Sequence, residues 1–163
     1  MFSTKEKGIK SEKGFTMIEL IIVIAIMGIL SAILVPSFTE MTRKSRLRAD
    51  ISTIQQVQAQ INLYTAEQEG KFPGAEPETG IKPLTTAAVK DLVDNGYIKS
   101  TDTLDKKDEA IKLQTTNLPV LYSTELEHLI LDVETLGGKI KESAGKLSAS
   151  DKLWTNYDPT TTP

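Results

Sequence analysis

A chain of 163 residues with no cysteine can hold neither a disulfide staple nor a reactive thiolate. Its formal charge of −3 gives no basis for strong nucleic-acid binding by the bulk surface, and a lone histidine is poor material for a metal site. The length suits one modest domain carried on an extended element.

Residues 1–14 hold four lysines and two glutamates, a balance of +2 that would leave −5 on the remainder if they were removed. From Met17 to Val35 run nineteen residues in which only Glu19, Gly28 and Ser31 break an aliphatic series. As helix this is roughly 28 Å, enough to cross the hydrocarbon core of a bilayer. Glu19 is the anomaly, because an unpaired carboxylate in such a segment costs about 2.5–3.5 kcal/mol at mid-membrane on insertion scales. It calls for a partner. Gly14 is a small residue on the near side of a cleavage before Phe15, and cutting there would create a cationic α-amine about one helical turn from Glu19. Glu19 can pair with that amine in its own chain or in a neighbour, which would set the register of packed helices. The competing reading is that Glu19 reaches the headgroups by snorkelling. An ordinary secretory signal has its cleavage site after the apolar run, whereas here the candidate site precedes it, so the run would be retained. Basic residues flank both ends, Lys5, Lys7, Lys10 and Lys13 before and Arg43, Lys44, Arg46 and Arg48 after, so charge bias does not choose a topology.

The block Lys13-Gly14-Phe15-Thr16-Met17-Ile18-Glu19-Leu20 followed by an apolar helix resembles the class III signal of type IV pilins and pseudopilins. The resemblance implies that a membrane prepilin peptidase cuts after Gly14 and N-methylates Phe15, and that Glu19 serves assembly and methylation. Pro36 matches the proline that often follows the first turns in that family. An N-terminus in the cytoplasm is likewise implied, since the peptidase acts there. Many Gram-negative pilins close a C-terminal loop with a disulfide, so the missing cysteines favour a Gram-positive source or a pseudopilin.

Beyond Pro36 the helix is expected to continue past a kink over about residues 32–36. Leu47, Ile51, Ile54, Val57, Ile61 and Tyr64 then recur at helical spacing, one apolar stripe among Gln55, Gln56, Gln58 and Gln60. Packing against the rest of the chain is the preferred role for this stripe, ahead of a coiled coil. Gly70 and Pro73 end the helix, for a stalk of roughly 80 Å. The cluster Arg43–Arg48 reads equally as a solvated face or as a contact for anionic headgroups or acidic neighbours.

Residues 70–83 read as a turn-rich loop. Leu84–Asn95 reads as a short helix, with Leu84, Ala88, Leu92 and Val93 inward and Gly96 as its cap. Tyr97-Ile98 would start the next packed segment. Asp102, Asp105, Asp108 and Glu109 form an acidic loop, a weak calcium candidate that lacks EF-hand order, and a solvated loop is preferred. Ala110–Gln114 and Pro119–Tyr122 are candidate strands joined by a turn at Thr115-Thr116-Asn117. Thr124 and Glu127 suggest a capping box opening a helix through Leu126, Leu129, Ile130, Val133 and Leu136, stopped by Gly137-Gly138. A strand through His128–Val133 is the alternative, and the helix is preferred. His128 is then an exposed helical residue, and Trp154 and Tyr157 are packing residues. The tail 158–163 reads as disordered. No phosphate loop, nucleophile–base set or paired carboxylates stand out, which points away from an enzyme and from any cofactor.

The resulting expectation is an α+β chain. A long kinked N-terminal helix, with a transmembrane half and an amphipathic half, packs on a small head holding a short antiparallel sheet and one or two short helices; the alternative is a mostly helical head. Its parts are a cleaved leader (1–14), an assembly helix (15–36), the amphipathic half (37–69), a head (70–157) and a tail (158–163). The family resemblance implies a pilus or pseudopilus subunit that self-assembles, with the prepilin peptidase, other pilins, the assembly platform and membrane lipid as partners. Nucleic acid would join them only in a competence pilus. Such a chain starts in the cytoplasmic membrane and ends in a surface filament. Rival readings are a pseudopilin of a secretion or DNA-uptake machine, a single-pass anchored binding domain that never polymerises, and a calcium-regulated head.

Overall fold

The computed structural model describes residues 14–75, 79–99, 104–105 and 110–158. Helix α1, Met17–Glu67, contains Pro36 in its interior. A proline there has no N–H to donate to the turn before it. The molecule parts into two units between Phe38 and Thr39.

The first unit is the apolar part of α1. Every side chain from Gly14 to Phe38 is exposed, and an apolar surface around a whole helix is what lipid or other protein must cover.

The second unit is the rest of α1 with the head. All six stripe residues, Leu47, Ile51, Ile54, Val57, Ile61 and Tyr64, are buried. They form one core with Val89, Leu92, Ile98, Leu118, Leu129, Leu131, Val133, Ala144 and Leu147. After α1, Gly70 adopts φ +87° and its amide donates to Thr65 O at 2.8 Å, closing the helix as the sequence suggests.

Strand β1, Ile81–Pro83, leads into helix α2, Thr86–Asp94, where Thr85 accepts a hydrogen bond from the Ala88 amide as N-cap. The end of α2 is a Schellman turn. Gly96 sits at φ +79°, its amide donates to Val93 O at 2.9 Å, and the Tyr97 amide donates to Leu92 O at 2.9 Å. Strands β2, Leu104–Asp105, and β3, Ala110–Ile111, pair with each other. Strands β4, Val120–Ser123, and β5, His128–Leu131, form a hairpin, and β1 adds to β4, giving an antiparallel sheet of order β1-β4-β5. Helices α3, Val133–Leu136, α4, Gly138–Gly145, and α5, Ala149–Lys152, follow.

Two buried polar side chains of α1 hydrogen-bond to backbone of the head. Gln58 Oε1 accepts from the Leu129 amide at 2.8 Å while its Nε2 donates to Glu127 O at 3.3 Å. The free edge of β5 is thus met by a side chain where another strand would otherwise pair. Further along β5, the Leu131 amide donates to Trp154 O at 2.8 Å and the Asn156 amide to Leu131 O at 3.1 Å. Asp50, fully buried, accepts from the amides of Gln114 and Thr115. Burial of a carboxylate is tolerated when backbone donors answer it.

The α+β expectation holds, with more sheet than the preferred reading of residues 124–136 allowed. No helix forms over 124–132. Thr124 hydrogen-bonds Gly80 instead, accepting from its amide at 2.8 Å, and the Leu126 amide donates to Ser123 Oγ. Glu127 takes φ +53°, so residues 124–127 are the tight turn between β4 and β5 rather than a capped helix start. The alternative strand is correct over His128–Leu131, and only Val133–Leu136 is helical. His128 is consequently not an exposed helical residue. It is half-buried in β5, its ring 4.8 Å from that of Trp154, with Nδ1 2.8 Å from Leu129 O. The turn expected at Thr115–Asn117 does not join paired strands, because β3 pairs with β2 and β4 with β1 and β5.

The N-terminal segment as candidate processing and assembly site

Helix α1 begins with a reciprocal cap. The Thr16 amide donates to Glu19 Oε2 at 2.8 Å, and the Thr16 hydroxyl donates to the same oxygen at 2.8 Å. In return the Glu19 amide donates to Thr16 Oγ1 at 3.3 Å. With Met17 as the first helical residue, this is a capping box, and it satisfies two of the donors a helix start leaves open. An anionic side chain at this end also meets the positive end of the helix dipole. The signal was present in the sequence as Thr16-Met17-Ile18-Glu19 ahead of an apolar run, and a reading of Glu19 as charge alone overlooks it.

The box uses one carboxylate oxygen. Glu19 Oε1 makes no hydrogen bond among the described residues, so the same carboxylate can hold its cap and accept from a cation. Gly14 and Phe15 precede the helix in exposed chain outside any helix or strand, with Phe15 88% accessible. A peptide bond in that setting is open to a protease. The structure thus places Gly14, Phe15 and Glu19 within six consecutive residues, while Pro36 lies inside α1 well away from them. Helix α1 holds the one stretch among the described residues that is long and apolar enough to cross a membrane.

Of the weak metal candidates, Asp102, Asp108 and Glu109 lie outside the described residues, and Asp105 is described only by its backbone in β2. Among the described residues no cluster of three metal-ligating side chains occurs.

The family model "Prokaryotic N-terminal methylation motif" matches residues 9–35. The type IV major fimbrial protein FimA of Dichelobacter nodosus is 36% identical over 70 residues, 43% of this chain and 44% of that protein. A fimbrial protein of Pseudomonas aeruginosa is 30% identical over 112 residues, 66% of this chain and 69% of its own length. Type II secretion system core protein G of Dickeya chrysanthemi is 27% identical over 93 residues, 55% of this chain and 60% of that protein. The chain therefore spans less than half of FimA. No solved structure matches it. All three organisms are Gram-negative, so these relatives lend no support to the Gram-positive source that the missing cysteines favoured. An exposed apolar helix, begun by a capped glutamate inside a methylation motif and carried on an α+β head, has its likeness in fimbrial proteins, and the chain belongs to the type IV pilin family as a pilin or pseudopilin subunit.

Proposed function

We propose that this chain is a prepilin, cut after Gly14 and N-methylated at Phe15 by a prepilin peptidase, whose mature form polymerises through the apolar part of α1. The observation that carries the reading is the exposed, all-round apolar surface from Met17 to Val35 with Glu19 held at its start. Before assembly the bilayer covers that surface, with the N-terminus on the cytoplasmic side where the peptidase acts. In the filament neighbouring helices cover it. Exchanging lipid contacts for protein contacts gains little free energy, so a membrane assembly platform must do work on the subunit. Pro36 supplies a soft point in the helix during that transfer. Glu19 Oε1 receives the Phe15 amine of a neighbour and fixes the axial register while Oε2 keeps the cap.

Two variants separate these roles. Glu19→Gln keeps a hydrogen-bonding side chain for the cap and removes the charge, whereas Glu19→Val removes both. Charge pairing predicts that both are processed and that neither yields filaments in a sheared-surface fraction. Normal filaments from Glu19→Gln would reduce Glu19 to a capping residue. The likeness to a type II secretion core protein favours, as a second reading, a pseudopilin of a secretion machine rather than a surface pilus. Deletion of the gene would then stop export of secreted proteins instead of removing surface fibres.

A further inference from the structure

Between Pro36 and Ala49, helix α1 carries four cations, Arg43, Lys44, Arg46 and Arg48, against one carboxylate, Glu40. The head answers two of these charges. Lys146 at the end of α4 places Nζ 2.8 Å from Glu40 Oε1, and Asp151 of α5 lies 3.4 Å from Arg48 Nε. Arg43, Lys44 and Arg46 are left without an ion pair among the described residues. Arg43 goes further, since its Nε is buried and has no hydrogen-bond partner among them. A cation without an ion pair in the protein keeps its charge for an outside anion.

These three cations follow Val35 within eleven residues, and exposed Phe38 and Met41 lie between. Apolar span, aromatic, then cations is the order in which a bilayer presents hydrocarbon, interface and headgroup phosphate. The long aliphatic stems of Arg and Lys let their charged ends reach back toward that layer. Lys146 pairs with Glu40, the carboxylate that α1 itself carries in this stretch, and also with Glu142 of α4 at 3.0 Å.

We propose that Arg43, Lys44 and Arg46 form a collar that binds the phosphates of anionic lipids and seats the unassembled subunit against the membrane surface. The inference rests on the reading of Met17–Val35 as membrane-spanning. Each cation near an anionic surface raises affinity roughly fivefold, so three together give a marked preference for anionic over zwitterionic lipid.

The test uses the full chain reconstituted in vesicles of equal parts phosphatidylglycerol and phosphatidylcholine. After flotation, the protein is extracted in mild detergent and its co-purifying lipid is counted by mass spectrometry. The expected result is a ratio of phosphatidylglycerol to phosphatidylcholine several-fold above the bulk ratio in the wild type. Enrichment should fall to the bulk ratio in Arg43→Gln/Lys44→Gln/Arg46→Gln and persist in Lys71→Gln/Lys90→Gln, which removes two exposed cations elsewhere. Wild-type protein at the bulk ratio, or a triple variant that keeps the enrichment, overturns the collar and leaves acidic surfaces of neighbouring subunits as its partner. A chain that fails to float with the vesicles overturns the membrane reading itself, and the collar with it.

Discussion

Helix α1 holds two kinds of surface in one continuous run of backbone. From Met17 to Val35 it is apolar on every side and all of it is exposed. From Leu47 to Tyr64 it is apolar on one face, and that face is buried in the head's core. Both belong to one helix, so the difference lies in what each is built to touch. The stripe is satisfied inside one molecule, whereas the first part is satisfied only by lipid or by other molecules. Folding of the head and covering of the apolar part are therefore separable, and substitutions in the two parts should fail in different ways.

The strongest way to break that division is a pair of matched truncations. Ile54→Ala, in the stripe and fully buried, should cost about 2–5 kcal/mol of head stability. Ile24→Ala, exposed on the apolar part, should shift it by less than about 0.5 kcal/mol. Denaturant unfolding in detergent, followed by the single tryptophan, Trp154, reads both. Equal losses would contradict the separation.

Next in size is Gly74→Ala. Gly74 sits at φ +78°, and a Cβ there would lie 2.7 Å from the Ala88 amide nitrogen, so the loop must move away from α2. A loss of about 1–3 kcal/mol is expected in the same assay. Gln58→Ala should cost a similar or smaller amount, about 1–3 kcal/mol, because the buried Leu129 amide loses its acceptor. Faster hydrogen exchange at Leu129, more than at the hairpin-paired positions of β5, would locate the effect.

A pH-dependent contribution sharpens the picture of how α2 and the loop are held to the stalk. Asp91 accepts from the Gly74 amide at 2.9 Å, the Tyr64 hydroxyl at 2.8 Å and Asn95. Those hydrogen bonds, the Gly74 amide first, hold its carboxyl below the ordinary aspartate range. A lowered folded pKa means that the stabilisation is fully present above the unfolded value of about 3.9 and is lost as pH falls through the lower folded value. The gap in stability between wild type and Asp91→Asn should thus stay constant from pH 7 to 5 and close at more acidic pH. The smallest effect belongs to the exposed Glu40–Lys146 pair, where Lys146→Ala should lower the unfolding midpoint least of these variants, and less still at high salt.

Two Thr-x-x-Glu sequences show what was legible in the chain and what was not. Thr16-Met17-Ile18-Glu19 forms the capping box its spelling suggests, because nineteen residues of helix-compatible apolar chain follow from Met17. Thr124-Glu125-Leu126-Glu127 has the same spelling and makes a hairpin turn, because its hydroxyl and the chain after it are claimed by Gly80 and by pairing with β4. Leu129, Ile130 and Leu131 are all buried, so β5 shows no alternation to mark it as a strand. The stripe, by contrast, was readable residue by residue, since one-sided burial of a long helix imprints its period directly. Asp50 and Gln58 were not, because their partners lie 64 to 71 residues away and polar residues beside a stripe look solvated. The N-terminal block was legible because its motif is a fixed order of residues in the linear sequence, matched over residues 9–35.

The central claim is that Phe15 becomes the first residue of a subunit built to polymerise. The most direct measurement is the N-terminal mass of the membrane-extracted protein, with and without a co-expressed prepilin peptidase. The account predicts a peptide beginning with N-methyl-Phe15 only when the peptidase is active. A terminus still at Met1 in the presence of active enzyme would contradict it and leave a membrane-anchored head whose Glu19 does no more than cap its helix.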